Sequence, residues 1–153
     1  MTTGRLAGIA RHGAPKGPME TLDHVAVTAT EGVHGDFRGG LASTKKGRRR
    51  QVSLIEAESV SAAFAACLAS LDWSDCRRNL LVQGLRLPRE EGLRVQIGDS
   101  LVVEITGECD PCERMDALHE GLRAALTPDW RGGFLGRVIE DGEIAVGDEI
   151  RIL

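Results

Sequence analysis

Nineteen glycines are scattered along 153 residues, so few segments run far without a residue able to turn the chain sharply. Between them lie short stretches rich in Val, Ile and Leu that predict strands over Arg5–Ala10, His24–Thr30, Arg50–Ile55, Asn79–Gln83, Leu101–Thr106, Gly136–Glu140 and Glu149–Leu153. Only two stretches carry a helical period. From Glu56 onward, Val60, Ala63, Phe64, Cys67, Leu68 and Leu71 fall on one stripe, and Glu56 and Glu58 suit the positive start of a helix. The second runs from about Cys112 through Met115, Leu118, Leu122, Ala125 and Leu126 until Pro128 ends it. There are too few strand–helix alternations for a doubly wound sheet. The pattern predicts a single mainly β domain over 1–153 with a few helices, its sheet mostly antiparallel and curled toward a barrel.

Aromatic residues make up 3% of the chain and tyrosine is missing, so the core has to be aliphatic. The same scarcity argues against a base-stacking nucleic-acid platform. The opening MTTGRLAGIARHG lacks the basic-then-apolar order of a signal peptide, and no apolar run is long enough to span a membrane. These features point to the cytoplasm, where four cysteines are expected as free thiols. Net charge is −4, yet RGGLASTKKGRRR (38–50) holds Arg38, Lys45, Lys46, Arg48, Arg49 and Arg50 without an acid. Such a block is either a solvated loop or an anion site for phosphate or nucleic acid.

Chemistry concentrates in GECDPCERMDAL (107–118). The turn before the second helix puts Cys112 near a helix start, where unpaired N–H groups favour thiolate, and Arg114 adds to that effect. Glu108, Asp110, Glu113 and Asp116 oppose it, so local charge leaves the direction open. Cys109 and Cys112 are open to four readings: a redox couple, half a zinc site, one working thiol beside a bystander, or packing. A thioredoxin-like motif belongs early in its fold, whereas this pair sits at 109–112 of 153. Zinc needs further ligands, and no second CxxC or HxxxH occurs. Cys67, on the helical stripe, and Cys76, beside Trp73, read as packing residues.

The wider pattern is more specific than the thiols alone. GVHGDFRGG (32–40), RRRQVSLIEAES (48–59), RRNLLVQGL (77–85), GECDPCERMDAL and GGFLGRVIEDGEIAVGDEI (132–150) together resemble the MOSC family, named for the C-terminal domain of molybdenum cofactor sulfurases. The resemblance covers the chain from about Ala7 to Leu153. It implies a MOSC-type β-barrel whose hallmark cysteine falls on Cys112, which binds the molybdenum of a pterin cofactor or carries sulfur as a persulfide. Cys109 matches a position that only part of the family fills with cysteine. Arg77 and Asn79 match positions that look cofactor-facing, Arg for phosphate and Asn for a polar edge. Arg78 stands where many relatives have proline.

From the same resemblance, Arg49, Arg50, Lys45 and Arg114 are candidates to screen the cofactor, and Asp116 to orient Arg114 or a substrate amine. His34 and Asp36 lie in the glycine turn, but the histidine precedes Gly35 rather than following the GD pair; a structural His34 and a turn-forming Asp36 are expected. The implied partners are a small-molecule substrate and a separate electron donor, or a sulfur donor of the cysteine desulfurase type. The implied reduction is of N-hydroxylated compounds. A thiol–disulfide protein and a binding module built on the 45–50 basic loop are the alternatives.

Overall fold

The structure is a computed structural model that describes residues 3–41, 44 and 47–153. The expected strands come together as a barrel. The elements are β1 (Thr3–Arg11), β2 (Glu20–Leu22), β3 (His24–Thr28), β4 (Gly32–Val33), β5 (Val52–Glu56), α1 (Ala57–Cys67), β6 (Leu80–Gln83), β7 (Arg94–Ile97), β8 (Leu101–Glu108), α2 (Arg114–Leu118), α3 (Leu122–Leu126), β9 (Phe134–Glu140), β10 (Gly142–Ala145) and β11 (Glu149–Ile152). The large sheet runs β11-β7-β8-β9-β5-β6-β1-β2, and pairing of β11 with β1 closes it. A small sheet, β10-β3-β4, lies beside it. All pairings are antiparallel except β5 with β6, the pair that α1 connects.

Alternation along the strands decides which side of the barrel wall each residue serves. On β5 and β6, Leu54, Leu80 and Val82 enter the barrel interior with Leu6, Ile9 and Ile105. Their neighbours Ile55 and Leu81 face outward and meet Val60, Met115, Leu122 and Leu126 beneath the helices. Fully burying one such side chain stabilises by about 1.5–3 kcal/mol. The interior is aliphatic as expected, with Phe134 the aromatic residue buried in it.

Four strands went unseen in the sequence, β2, β4, β7 and β10. Each has four residues or fewer. β6 and β11 are as short as β7 and β10 and were expected, so length alone does not set the four apart; their pairing is decided by neighbours already in the sheet.

The helices correct the sequence reading more substantially. The first ends at Cys67 instead of reaching Leu71, because Leu68 takes a left-handed conformation (φ 58°) while Ala69 N–H donates back to the Phe64 carbonyl. Leu68, placed by the period on the buried stripe, is 88% exposed. The second predicted helix is two five-residue helices. His119 leaves helical geometry, Gly121 turns at φ 88°, and the Asp116 carboxylate accepts from Arg123 N–H. Among the described residues no helix is long and apolar enough to cross a membrane.

Candidate functional site

Five separate segments meet at one end of the barrel wall, and short-range hydrogen bonds fix each of them there. β1 ends at Arg11 and the chain leaves the sheet through His12–Pro18. His12 N–H donates to Asp36 Oδ1 (3.1 Å), and the His12 carbonyl accepts from Phe37 N–H (2.7 Å), which ties this loop to the glycine turn. Asp36 is buried and also accepts from the N–H groups of Arg38 and Gly39. It is therefore a turn-former, as its sequence context suggested, and the Oδ1 that takes the His12 N–H braces the next segment as well.

That next segment is the β5–β6 pair. Asn79 Oδ1 accepts from Ser53 N–H (3.0 Å) and Ser53 Oγ–H (3.2 Å). Its amide nitrogen donates to the Ala10 carbonyl (3.0 Å) and Asp36 Oδ1 (3.4 Å). Both sides of the Asn79 amide are thus committed inside the protein, which makes it a brace for the pocket wall. Before it, a short 3-10 turn (Trp73–Cys76) is closed by reciprocal capping between Asp72 and Asp75. Arg77 then adopts φ 64°, and the two arginines diverge. Arg77 donates to the Gly17 carbonyl (2.7 Å); Arg78, buried, donates to the carbonyls of Gly132 (2.7 Å) and Cys76 (2.9 Å).

The cysteine turn packs against residues 132–133. Cys109 N–H donates to the Gly133 carbonyl (2.8 Å), and a Cβ at Gly132 would lie 2.7 Å from the Cys109 carbonyl oxygen, so only glycine fits there. Cys109 is 1% exposed and Cys112 is exposed. No helix begins until Arg114, and Cys112 joins it through a single bond, its carbonyl accepting from Met115 N–H (3.0 Å). Cys112 therefore lies in the turn before the five-residue α2, where the sequence had a longer helix opening at about this residue.

These segments enclose a hollow of about 330 Å³ lined by His12, Pro15, Lys16, Asp36, Phe37, Arg38, Arg50, Ser53, Arg77, Arg78, Asn79, Cys112, Arg114 and Met115. Six cations and one carboxylate face it. Burial lowers the pKa of Arg50, and Arg38 and Arg78 add to that while Cys109 and Cys112 oppose it. Burial likewise lowers Arg77, helped by Arg114. Below the wall, burial raises the Cys76 thiol to about 11, consistent with a packing role. Glu108 is raised by burial and by its neighbour Asp110.

Of the residues singled out from sequence, Cys112, Arg77, Asn79, Arg50 and Arg114 line the hollow. Cys109 lies behind it, its Sγ 3.9 Å from the Arg50 guanidinium. Arg49 points away and donates to the Thr106 carbonyl (3.3 Å), and Asp116 is spent on Arg123. Lys45 and Lys46 lie outside the described residues. His34 is exposed, paired with Glu31 at 2.8 Å, and lines a different cavity. Among the described residues no group of three or more His, Cys, Asp or Glu side chains is placed to hold a metal ion.

Sequence reasoning missed His12 and Lys16. The only signal was their place in RHGAPKGP, a loop of glycine and proline directly after a strand. His12 Nδ1–H donates to the Ala14 carbonyl (2.9 Å), which leaves Nε2 as its remaining polar atom.

The MOSC domain family profile matches residues 18–151. Among solved structures, the YuaD protein from Bacillus subtilis shares the fold with a TM-score of 0.83 at 19% identity, over 98% of this chain and 95% of that one. YiiM from Geobacillus stearothermophilus gives 0.71 at 17% identity, over 98% of this chain and 75% of that one. YiiM from Escherichia coli gives 0.64 at 15% identity, over 97% and 69%. A search of curated proteins gave no match. The structural likenesses speak to the barrel, and the profile spans most of the sequence that builds it: this chain belongs to the MOSC domain family.

Proposed function

We propose that the hollow receives an anionic molybdenum–pterin cofactor, with Cys112 as the thiolate ligand to the metal. The observation that carries this is an exposed thiol set among Lys16, Arg38, Arg50, Arg77, Arg78 and Arg114, with Asp36 as the one opposing carboxylate. Far more positive charge is gathered here than a lone thiolate requires. A phosphate-bearing pterin with a metal–oxo centre is an anion that matches it, and the hollow's size is at the lower end for small-ligand sites.

The donors present fit such a group. The side chains of Arg38, Arg114 and Lys16 have no hydrogen-bond partner among the described residues, so their N–H groups are available for phosphate. Arg77 and Arg78 each spend donors on backbone carbonyls, which fixes them as sources of charge. Asn79 and Asp36 hold the wall in place, and His12 Nε2 offers an acceptor to a donor edge of the ligand. When bound, the group supplies a two-electron oxygen-transfer centre suited to reducing N-hydroxylated compounds, with electrons from a separate donor protein.

The test is native mass spectrometry with metal analysis on protein purified anaerobically from a host that makes the cofactor. Loss of molybdenum and pterin in Cys112→Ser, with retention in Cys109→Ser, supports the assignment. Equal loss in both variants points to a dithiol site, and a wild type that carries neither metal nor pterin rules the assignment out.

One observation favours a second reading, carriage of sulfane sulfur on Cys112. The exposed thiol is accessible to a protein donor such as a cysteine desulfurase, and a second, sheltered thiol stands behind it that metal ligation does not need. In that case the +1 sulfur adduct appears on Cys112 and no tight cofactor is required.

A further inference from the structure

Cys109 differs from Cys112 in every property that matters for thiol exchange. It is buried, its backbone N–H is held by Gly133, and its Sγ lies 3.9 Å from Arg50 Nη2. Cys112 is exposed in the same turn, three residues on, and lines the hollow that Arg50 also lines. One guanidinium therefore serves both sulfurs, and both bear on its charge. A large donor can reach only Cys112. A nucleophile for whatever Cys112 accepts is already supplied from within.

We propose that Cys109 is the resolving thiol for a persulfide on Cys112, so that the pair releases sulfide; this rests on the sulfur-carrying reading of the site. First the Cys112 thiolate attacks the outer sulfur of a persulfide R–S–SH. The S–S bond of the donor breaks, Cys112–S–SH forms, and RS⁻ leaves. Next the Cys109 thiolate attacks Cys112 Sγ. A Cys109–Cys112 disulfide forms, the bond to the outer sulfur breaks, and HS⁻ departs with the electron pair. The sulfane sulfur is reduced to sulfide while two thiolates are oxidised to disulfide, and an external thiol reductant then restores the pair.

Several features favour the second step. The Cys109–Cys112 turn lies outside helix α2, so Cys112 is not locked into a helical ladder. The CxxC spacing is one at which a disulfide ring closes. Arg50 Nη2 stands 3.9 Å from Cys109 Sγ, and the cations of the hollow favour the departing HS⁻.

The experiment uses anaerobic, reduced protein mixed with glutathione persulfide, followed by intact mass and by sulfide assay. Wild type is expected to lose about 2 Da and release sulfide in a single turnover. Cys109→Ser, and Cys109→Ala as a second variant in case serine disturbs the buried site, are expected to gain about 32 Da and to release sulfide at least about tenfold more slowly. Cys112→Ser should do neither. If wild type and both Cys109 variants hold the same adduct and release sulfide equally, the resolving role is overturned while sulfur carriage stands. If no Cys109 variant gains the adduct, sulfur carriage itself fails and the resolving role goes with it.

Discussion

Two carboxylates are buried among the described residues, and they are handled in opposite ways. Glu56, at the end of β5, forms a two-pronged pair with Arg89 (2.7 Å at each oxygen) and also accepts from Leu87 N–H and Ser59 Oγ–H. Arg89 in turn lies over the Phe134 ring, 5.3 Å from its centroid. Asp36 receives only neutral donors: three backbone N–H groups and the Asn79 amide. In the first cluster a cation is consumed to balance the acid. In the second none is, so the arginines around Asp36 keep their charge facing the hollow. The difference shows how a fold separates a sealed ion pair from a ligand site with similar residue types.

The largest expected effect breaks the sealed cluster. Glu56→Ala leaves the half-buried Arg89 with Asp129 (3.7 Å) as its remaining ion partner and Leu87 N–H without its acceptor, and should cost about 3 kcal/mol in urea unfolding. A cost under about 1 kcal/mol would mean the pair behaves like a surface one. Asn79→Ala removes the brace of the open cluster and leaves Ser53 N–H and the Ala10 carbonyl short of partners. It should cost roughly 2–3 kcal/mol by the same measurement and weaken anion binding as well.

Cys76 probes the ground under the open cluster, since its carbonyl anchors Arg78. Its thiol stays protonated to higher pH when folded, about 11 against an ordinary value near 9.0. The folded state then holds a proton that the unfolded state gives up, so its contribution is complete below pH 9 and is lost as pH rises to 11. Stability should fall by on the order of 2 kcal/mol across that window, and Cys76→Ala should flatten the profile. Smallest is the loss of one free cation. Arg38→Gln or Arg114→Gln should weaken inorganic phosphate binding roughly five- to tenfold by calorimetry, with little change in stability. Arg137→Gln, which removes a cation paired with Glu104 on the barrel's outside, should leave phosphate binding unchanged.

Much of the barrel was legible because stretches rich in Val, Ile and Leu between turn residues mark strands locally. VSLIE and LLVQ read as strands from that content, and the pleat in the folded sheet sends Leu54, Leu80 and Val82 to one face and Ile55 and Leu81 to the other. The helix boundaries were not legible. The apolar period runs on through Leu68 and across Gly121, and it took local turns, a left-handed Leu68 and a bond from Arg123 to Asp116, to stop them. The thiol turn was found by its sequence, but which thiol is sheltered depends on residues 132–133, more than 20 positions away.

By itself the sequence determined the strand-rich aliphatic barrel, the family pattern and the choice of Cys112 as the thiol of interest. Those features rest on interactions within a few residues or on motifs contiguous in the chain. Tertiary structure alone decided that His12 and Lys16 join the hollow, that Arg50 turns inward while Arg49 turns out, and that Asn79 is already engaged. Those outcomes depend on contacts between segments far apart in the chain, such as the Thr106 carbonyl for Arg49, Cys109 Sγ for Arg50 and the Ala10 carbonyl for Asn79, and such pairings exist only once the barrel has closed.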